Sequence, residues 1–466
     1  MKKHRSFCLL ICVLFLFHAI CLPVFADEIE DISVLSGCSS IDGQVPMLGN
    51  TQLIENMQSA VVFETTTGTL MYAWNADQQL FPAGLVKILT ALVAVEQGSM
   101  QDAVTVKQQV IEQISEGART SDLQVDEVFT LEQLLYCLLV EGSNDAALVI
   151  ADHISGSQAS FVDRMNAYAQ ELGCTGSVFT NVHGLHDEQQ VTTARDMARI
   201  LTKAVQNEKF VEIFGTTTYS LEKTNKSEAR ELESSNHLMH QNLYEIYFDE
   251  RVTGGRTGEN NLGLRNMATT AQEGSMQLIC VVLGCESKVN DRSIVEKIGG
   301  FDETSQLLDL AFNGYTTAQL LGDGQSLKQY SVRNGISDVV VGPKSTVSAV
   351  VPVDEANGTL TYQYKDLENA FSAPVEEGRR MSTVEIWCGN VCLAQADLFA
   401  MHDVVVNYQQ VEYKDGSGLK WWGVLLILLL VVAVGFFVYI LLMRYRRFFA
   451  VMRKRITKKP SYRRRR

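Results

Sequence analysis

The stretch PAGLVKILTALVAV, from Pro82 to Val95, is apolar along almost its whole length and carries one charge, that of Lys87. Gly98 follows it closely, as is typical of the end of a helix. A helix that is apolar on every side is usually buried on every side. The stretch therefore predicts a largely buried helix with one ionisable side chain on its first turn.

The sequence on both sides of this helix mixes strand and helix patterns. Val61-Val62-Phe63 and Leu70-Met71-Tyr72 flank Thr66-Thr67-Gly68, which predicts a β-hairpin. These observations predict an α+β domain over residues 53–317. Three apolar runs predict its other buried elements, namely helices from Leu131 to Val140 and from Ala146 to Ile154, and a strand from Gln277 to Leu283.

The pattern changes to short alternating runs from about residue 318 onward. Leu360 to Tyr364 alternates apolar with polar residues, as a strand with one buried face does. A second run leads into Gly389-Asn390, a pair typical of a two-residue hairpin turn. We predict a small all-β domain over residues 318–411, followed by a stalk at 412–420.

The N-terminus has the features of a cleavable signal peptide over residues 1–26. Three basic residues among the first five precede an apolar run from Phe7 to about Ala19, and the small-residue site Val24-Phe25-Ala26 follows. The apolar run is short for crossing a bilayer, which disfavours an uncleaved anchor. We therefore predict cleavage after Ala26 and a polar linker over residues 27–52.

A second apolar segment, Trp421 to Met443, contains no charged residue and predicts a single transmembrane helix. The residues after it, 444–466, include twelve Lys or Arg and no Asp or Glu. Positively charged flanks of this kind stay on the cytoplasmic side. The sequence thus predicts a single-pass protein of the cell membrane with an extracytoplasmic domain and a basic cytoplasmic tail.

The charge argues against nucleic-acid binding, and the cysteines argue against a disulfide scaffold and a paired-cysteine metal site. The formal net charge is −14, and every acidic residue lies between positions 27 and 419, which argues against nucleic acid as a ligand. Of ten cysteines, seven follow the predicted signal peptide, and they are widely spaced without a paired metal-binding pattern. We expect no disulfide scaffold, and we expect Cys137 and Cys280 to be small core residues.

Three short segments of the first domain resemble the motifs of a known family. They are FPAGLVK (81–87), EGSNDAA (141–147) and GGRTG (254–258). Their order and separation resemble the S-x-x-K, S-x-N and K-T-G motifs of penicillin-recognising serine acyltransferases. Within that group the chain is similar to the low-molecular-weight D-alanyl-D-alanine carboxypeptidases, peptidase family S11, over roughly residues 53 to 410. The resemblance implies a β-lactamase-like domain of mixed helices and antiparallel sheet, then a small all-β domain.

The resemblance also implies a chemistry. Enzymes of this family attack the penultimate D-Ala carbonyl of a peptidoglycan stem peptide with a serine at a helix N-terminus, and a lysine one turn along takes the serine's proton. The second motif relays protons and holds the peptide amide, and the third binds the terminal carboxylate. In this chain the residues that match the retained parts are Lys87, Asn144, Arg256, Thr257 and Gly258.

Both serine positions depart from the family pattern. Gly84 stands at the nucleophile position and Gly142 at the serine position of the second motif. Arg256 replaces the usual lysine, keeps its positive charge and cannot shuttle a proton. Glu259 adds an acid beside the carboxylate site. We predict a degenerate, catalytically inactive homologue, and we expect serine at positions 84 and 142 to be tolerated by the fold and to restore some acylation.

Three interpretations of function stay open at this point. The first is a non-catalytic protein of cell-wall metabolism that binds stem peptide or a wall-synthesis protein. The second is an active serine-type D-Ala-D-Ala carboxypeptidase with an unorthodox nucleophile such as Ser143, and the third is a membrane-tethered scaffold. The histidine pairs, His183 with His186 and His237 with His240, lack a matching cysteine or carboxylate spacing, so we expect no metal and no cofactor.

Overall fold

The structure, a computed structural model, describes residues 52–241, 245–289, 295–353, 360–388, 391–408 and 421–456. The predicted signal peptide, the predicted linker up to residue 51, the predicted turn at Gly389-Asn390 and the predicted stalk lie outside these residues. The part of the predicted basic tail from residue 457 also lies outside them.

The N-terminal domain contains eleven strands among the described residues. Five of them form an antiparallel sheet, and the others form two-stranded ribbons. In chain order the strands are β1 (Ser59–Glu64), β2 (Thr69–Trp74), β3 (Ala103–Thr105), β4 (Val128–Thr130), β5 (Thr218–Leu221), β6 (Arg230–Glu233), β7 (Val252–Glu259), β8 (Arg265–Glu273), β9 (Met276–Cys285), β10 (Lys288–Val289) and β11 (Val295–Lys297).

The five-stranded sheet has the order β2-β1-β9-β8-β7, which makes β7 an edge strand. Val62 on β1 lies opposite Tyr72 on β2, which confirms the predicted hairpin. The predicted buried strand lies within β9, whose residues are buried except Gln277. The helices of this domain are α1 (Val86–Gln97), α2 (Gln108–Ile111), α3 (Leu131–Tyr136), α4 (Asn144–Ser155), α5 (Gln158–Glu171), α6 (Ala194–Ala204), α7 (Glu208–Phe214) and α8 (Phe301–Gly314).

Alternate side chains of the sheet enter two separate cores, because successive residues of a strand point to opposite faces. Val61 packs with the side chains of α1 in one core, whereas Val62 packs with Phe301 of α8 in the other. Every residue of α1 from Val86 to Val95 is buried. The apolar helix of the sequence is therefore enclosed as predicted, and Cys137 and Cys280 are buried as expected.

Two irregular turns next to the predicted helices shape the candidate site. The predicted helix from Pro82 begins with a 3₁₀ turn, Ala83–Leu85, because Ala83 adopts a φ of 48° that an α-helix cannot accommodate. The predicted helix from Leu131 changes into a π-helix at Cys137–Glu141, which ends at Gly142 with a φ of 87°. Turns of the π type occur often at functional sites.

The chain after α8 continues as strands, which confirms the predicted all-β domain. Five strands form an antiparallel sheet in the order β13-β15-β20-β19-β17, and β12 pairs with β16. In chain order the strands are β12 (Tyr315–Leu321), β13 (Lys328–Tyr330), β14 (Val332–Arg333), β15 (Val339–Gly342), β16 (Val347–Pro352), β17 (Leu360–Asp366), β18 (Phe371–Ser372), β19 (Arg380–Cys388) and β20 (Val391–Ala400).

A separate compact unit contains the C-terminal helix α9 (Trp421–Ile456). Over Gly423–Arg447 this helix is long and apolar enough to cross a bilayer, and none of that window is buried. The helix extends beyond the predicted span because residues 444–456 contain neither Gly nor Pro. The other parts of this unit are Arg333–Ile336, Ser372–Pro374 and the described residues from Val405.

Candidate functional site

The three sequence motifs meet in one cleft at the start of α1. Its walls are the 3₁₀ turn that holds Gly84, the end of the π-helix at Gly142, and the edge strand β7. The cavity has a volume of about 380 Å³. The site residues expected from the sequence that line it are Gly84, Lys87, Gly142, Asn144, Arg256, Thr257 and Gly258.

Strand β7 fills the space beside Gly84. A Cβ atom on Gly84 would lie 2.9 Å from the carbonyl oxygen of Thr257 and 3.3 Å from Cα of Gly258. The 3₁₀ turn is held in this place by Asn266, whose Nδ2 donates to the carbonyls of Phe81 and Pro82 at 2.8 and 3.1 Å. A Cβ atom at position 84 therefore requires a small shift of β7 or of the 3₁₀ turn.

The guanidinium of Arg256 fills the corresponding space beside Gly142. A Cβ atom on Gly142 would lie 1.8 Å from Nη2 and 2.7 Å from Cζ of Arg256. The positive φ of Gly142 also disfavours any residue with a side chain. Serine therefore requires a shift of backbone at position 84, and a shift of the Arg256 side chain together with a strained φ at position 142. The expectation that the fold tolerates both serines stays a prediction.

Arg256 is buried without an anionic partner among the described residues. Arg256 is 5% exposed, and its Nη1 donates to the carbonyl of Leu139 at 3.3 Å. Its Nε has no hydrogen-bond partner among the described residues. Burial, and then the positive charge of Arg119, lower the pKa of Arg256 to about 10. A buried charge without a counter-ion is costly, so the floor of the cleft favours an anionic group.

Lys87 lies one turn along α1 and is 3% exposed. Its ammonium donates to the carbonyl of His183. Burial lowers the pKa of Lys87 well below its usual value, and the charges of Arg256 and Arg119 lower it further. A lysine in this state can accept a proton, but Gly84 offers no hydroxyl from which to take one.

Ser143 and Asn144 are neighbours in sequence but differ in placement. Ser143 is fully buried, and its hydroxyl donates to the carboxylate of Asp145. It does not line the cleft. Asn144 does line it, and its backbone N–H donates to the carbonyl of Arg119 at 2.8 Å.

Three polar residues without a motif signal also line the cleft. The hydroxyl of Ser235 lies 2.8 Å from that of Thr257. The guanidinium of Arg265 donates to the carboxylate of Glu259 at 2.7 Å. Arg119 lines the cleft from the loop that precedes Asp122. Sequence inspection missed all three of these residues. Ser235 and Arg119 reach β7 only through the tertiary fold, whereas Arg265 lies opposite Glu259 on the neighbouring strand β8.

The four histidines considered above lie in separate surroundings. Burial, and then the positive charge of Lys87, lower the pKa of His183 to about 4. The ring of His237 stacks on Phe301, with centroids 4.7 Å apart. Within the described ranges, no three His, Cys, Asp or Glu side chains are grouped closely enough to hold a metal ion.

The chain matches two family models. The model of D-alanyl-D-alanine carboxypeptidase matches residues 50–287, and that of the C-terminal domain of penicillin-binding protein 5 matches residues 315–406. The chain is 28% identical over 361 residues to the D-alanyl-D-alanine carboxypeptidase DacF of Bacillus subtilis (strain 168). The aligned residues cover 76% of this chain and 87% of that relative.

Other relatives agree with these matches. The chain is 28% identical over 356 residues to the D-alanyl-D-alanine carboxypeptidase DacC of Escherichia coli (strain K12), over 74% of this chain and 83% of that relative. The crystal structure of penicillin-binding protein 5 from Haemophilus influenzae has a TM-score of 0.63 at 24% identity, over 77% of this chain and 100% of that one. This last likeness shows a shared fold.

Proposed function

The chain belongs to the D-alanyl-D-alanine carboxypeptidase family, peptidase S11, and from that premise we propose that it is a membrane-anchored, catalytically inactive member of peptidoglycan metabolism that binds stem peptide without cleaving it. One observation carries the proposal. The nucleophile position of the cleft is Gly84, which has no side chain, and yet the cleft keeps a buried cation, Arg256.

The loss of catalysis follows from both glycines. Gly84 has no side chain with which to attack a carbonyl, and a Cβ atom there would lie 2.9 Å from the carbonyl oxygen of Thr257 on β7. The alternative nucleophile, Ser143, is disfavoured because its hydroxyl is bound to Asp145 inside the protein. Removing the serine of a protease triad lowers turnover by roughly 10⁶.

Binding is supported by what the cleft retains. Arg256 and the hydroxyl of Thr257 remain at the positions where the family holds the terminal carboxylate of its substrate. Arg256 interacts with two other positive charges, those of Lys87 and Arg119. A ligand carboxylate would give this guanidinium the anionic partner it lacks, and charge-assisted hydrogen bonds of this kind are strong.

Anchoring is supported by α9, whose apolar window suits a single membrane span. The basic residues after it favour a cytoplasmic C-terminus and an extracytoplasmic domain. A wall-synthesis protein is the second candidate ligand, and a scaffold with an empty cleft is the third interpretation. The binding experiment below separates these interpretations.

We expect diacetyl-L-Lys-D-Ala-D-Ala, a stem-peptide analogue, to bind the full chain in detergent weakly and reversibly. Arg256→Ala should lower the affinity at least about tenfold, because a hydrogen bond to a charged group contributes about 1.5–3 kcal/mol. Calorimetry measures both affinities, and mass spectrometry should show that the peptide stays intact.

The same peptide with a C-terminal amide is the matched control, since it lacks only the carboxylate. It should bind the wild type as weakly as the acid binds Arg256→Ala, and the substitution should not weaken it further. Absence of heat at millimolar peptide would favour the scaffold or a protein partner. Equal binding of the acid by Arg256→Ala and wild type would show that Arg256 does not hold the carboxylate.

A further inference from the structure

The compact unit that contains α9 also contains three short segments of the chain before it. They are Arg333–Ile336, Ser372–Pro374 and the described residues from Val405. Two isolated antiparallel bridges, Gly335 with Val406 and Val375 with Val404, place Val405 opposite both Ile336 and Pro374. Residues directly opposite each other on antiparallel strands have their side chains on the same face. Segments distant in sequence therefore form one surface here.

This surface exposes large apolar side chains. Ile336 is 62% exposed, Val405 is 54% exposed and Tyr408, three residues further on, is 84% exposed. Pro374 beside Val405 is exposed as well. We call these four residues the terminal surface. Exposed apolar side chains that cluster in this way mark a contact with a protein or a membrane.

The charge of the three segments differs from that of the region around them. Residues 333–336, 372–374 and 405–408 contain one charged residue, Arg333, and no Asp or Glu. Acidic residues begin just outside them in sequence, at Asp338, Glu376 and Asp403. The terminal surface is thus an apolar area without carboxylates in an acidic region, and its contact does not depend on opposite charge.

The length of the chain keeps the terminal surface near the membrane. Twelve residues, 409–420, separate Tyr408 from Trp421, the first residue of α9. Even a fully extended chain of this length spans at most about 45 Å. A tether this short gives the surface a high effective concentration at any bilayer that α9 crosses.

We propose that the terminal surface docks onto the phospholipid bilayer that α9 crosses, with Ile336, Val405 and Tyr408 in the interfacial region. This inference rests on the proposed anchoring by α9 and adds a second contact with the same membrane. Burial of the aliphatic side chains provides the attraction, and tyrosine suits the interface because its ring is apolar and its hydroxyl is polar. Neutral phospholipid is sufficient, because the surface carries little charge.

The test places a nitrobenzoxadiazole label on Ile336→Cys in the full chain, reconstituted into phosphatidylcholine vesicles that contain nitroxide-labelled phosphatidylcholine. The described cysteines are buried, and the wild type treated with the same label gives the background. Leu262→Cys is the matched control, because Leu262 is 65% exposed and lies in the turn between β7 and β8. We expect the nitroxide to quench the label at position 336 and not at position 262. High salt should leave this quenching unchanged, since the contact is apolar.

Adding Val405→Ser and Tyr408→Ser should lower the ratio of docked to undocked protein about tenfold, because two apolar contacts are lost. Thermal unfolding should not change, since both side chains are exposed. Equal quenching at positions 336 and 262, or quenching that survives the double substitution or disappears in high salt, would overturn the inference. A blue-shifted label that the nitroxide does not quench would show that a second copy of the chain covers the surface instead. Failure of the chain to float with the vesicles would overturn the proposed anchoring as well.

Discussion

The full chain should form no covalent adduct with a β-lactam, even after prolonged incubation. A β-lactam acylates the serine nucleophile of this family, and here that position is Gly84 with β7 packed against it. The expected loss is of the order of 10⁶ in acylation rate. Intact-mass spectrometry should show the unmodified mass, where an acylated protein would gain the mass of one drug molecule.

An active D-Ala-D-Ala carboxypeptidase, treated in parallel, should be fully labelled and serves as the positive control. A Ser143→Ala variant extends the test to the unorthodox nucleophile, because Ser143 is the hydroxyl adjacent in sequence to Gly142. An adduct on the wild type that maps to Ser143 and disappears in this variant would establish the enzyme interpretation instead.

Gly142→Ser should lower the free energy of unfolding by about 3 kcal/mol. About 1–2 kcal/mol comes from forcing a residue with a side chain into a left-handed conformation. The rest comes from displacing the guanidinium of Arg256, which occupies the site of the new side chain. Thermal unfolding of the full chain in detergent measures the effect, and the double variant Gly84→Ser, Gly142→Ser should stay unlabelled by β-lactam.

Gly156→Ser provides the matched control. Gly156 has a similar φ of 75°, but a Cβ atom there would have no neighbour within 4 Å. Gly156→Ser should therefore lower the free energy of unfolding only by the conformational contribution, about 1–2 kcal/mol. Adding Arg256→Ala to Gly142→Ser should restore part of the lost free energy of unfolding, because the new side chain then has space. Adding it to Gly156→Ser should restore none, because substitutions at distant sites have additive effects. Equal losses in the two serine variants would contradict the packing described for Arg256, and rapid labelling of the double variant would show that β7 moves aside.

The fold was predictable where local pattern decides structure. The apolar run of α1 follows from residue type, because an all-apolar helix is stable only when it is buried. The alternation of Leu360 to Tyr364 predicted the strand β17 correctly, but the buried face expected for it is absent, since Tyr362 is exposed. The π-helix at Cys137–Glu141 and the 3₁₀ turn at Ala83–Leu85 were not predictable. Their backbone conformations are selected by packing around the cleft, and no run of residues in the sequence encodes them.

The sequence by itself determined that position 84 cannot supply a nucleophile, since glycine has no side chain in any conformation. It also indicated the family, because the three motifs keep their order and separation although residues within them are substituted. Only the tertiary structure decided where the guanidinium of Arg256 lies and that Ser143 points into the protein. Position 256 reaches position 142 only when the sheet and helices pack together, and an arginine has enough freedom that its sequence neighbours do not dictate its direction. The same packing sets β7 against Gly84.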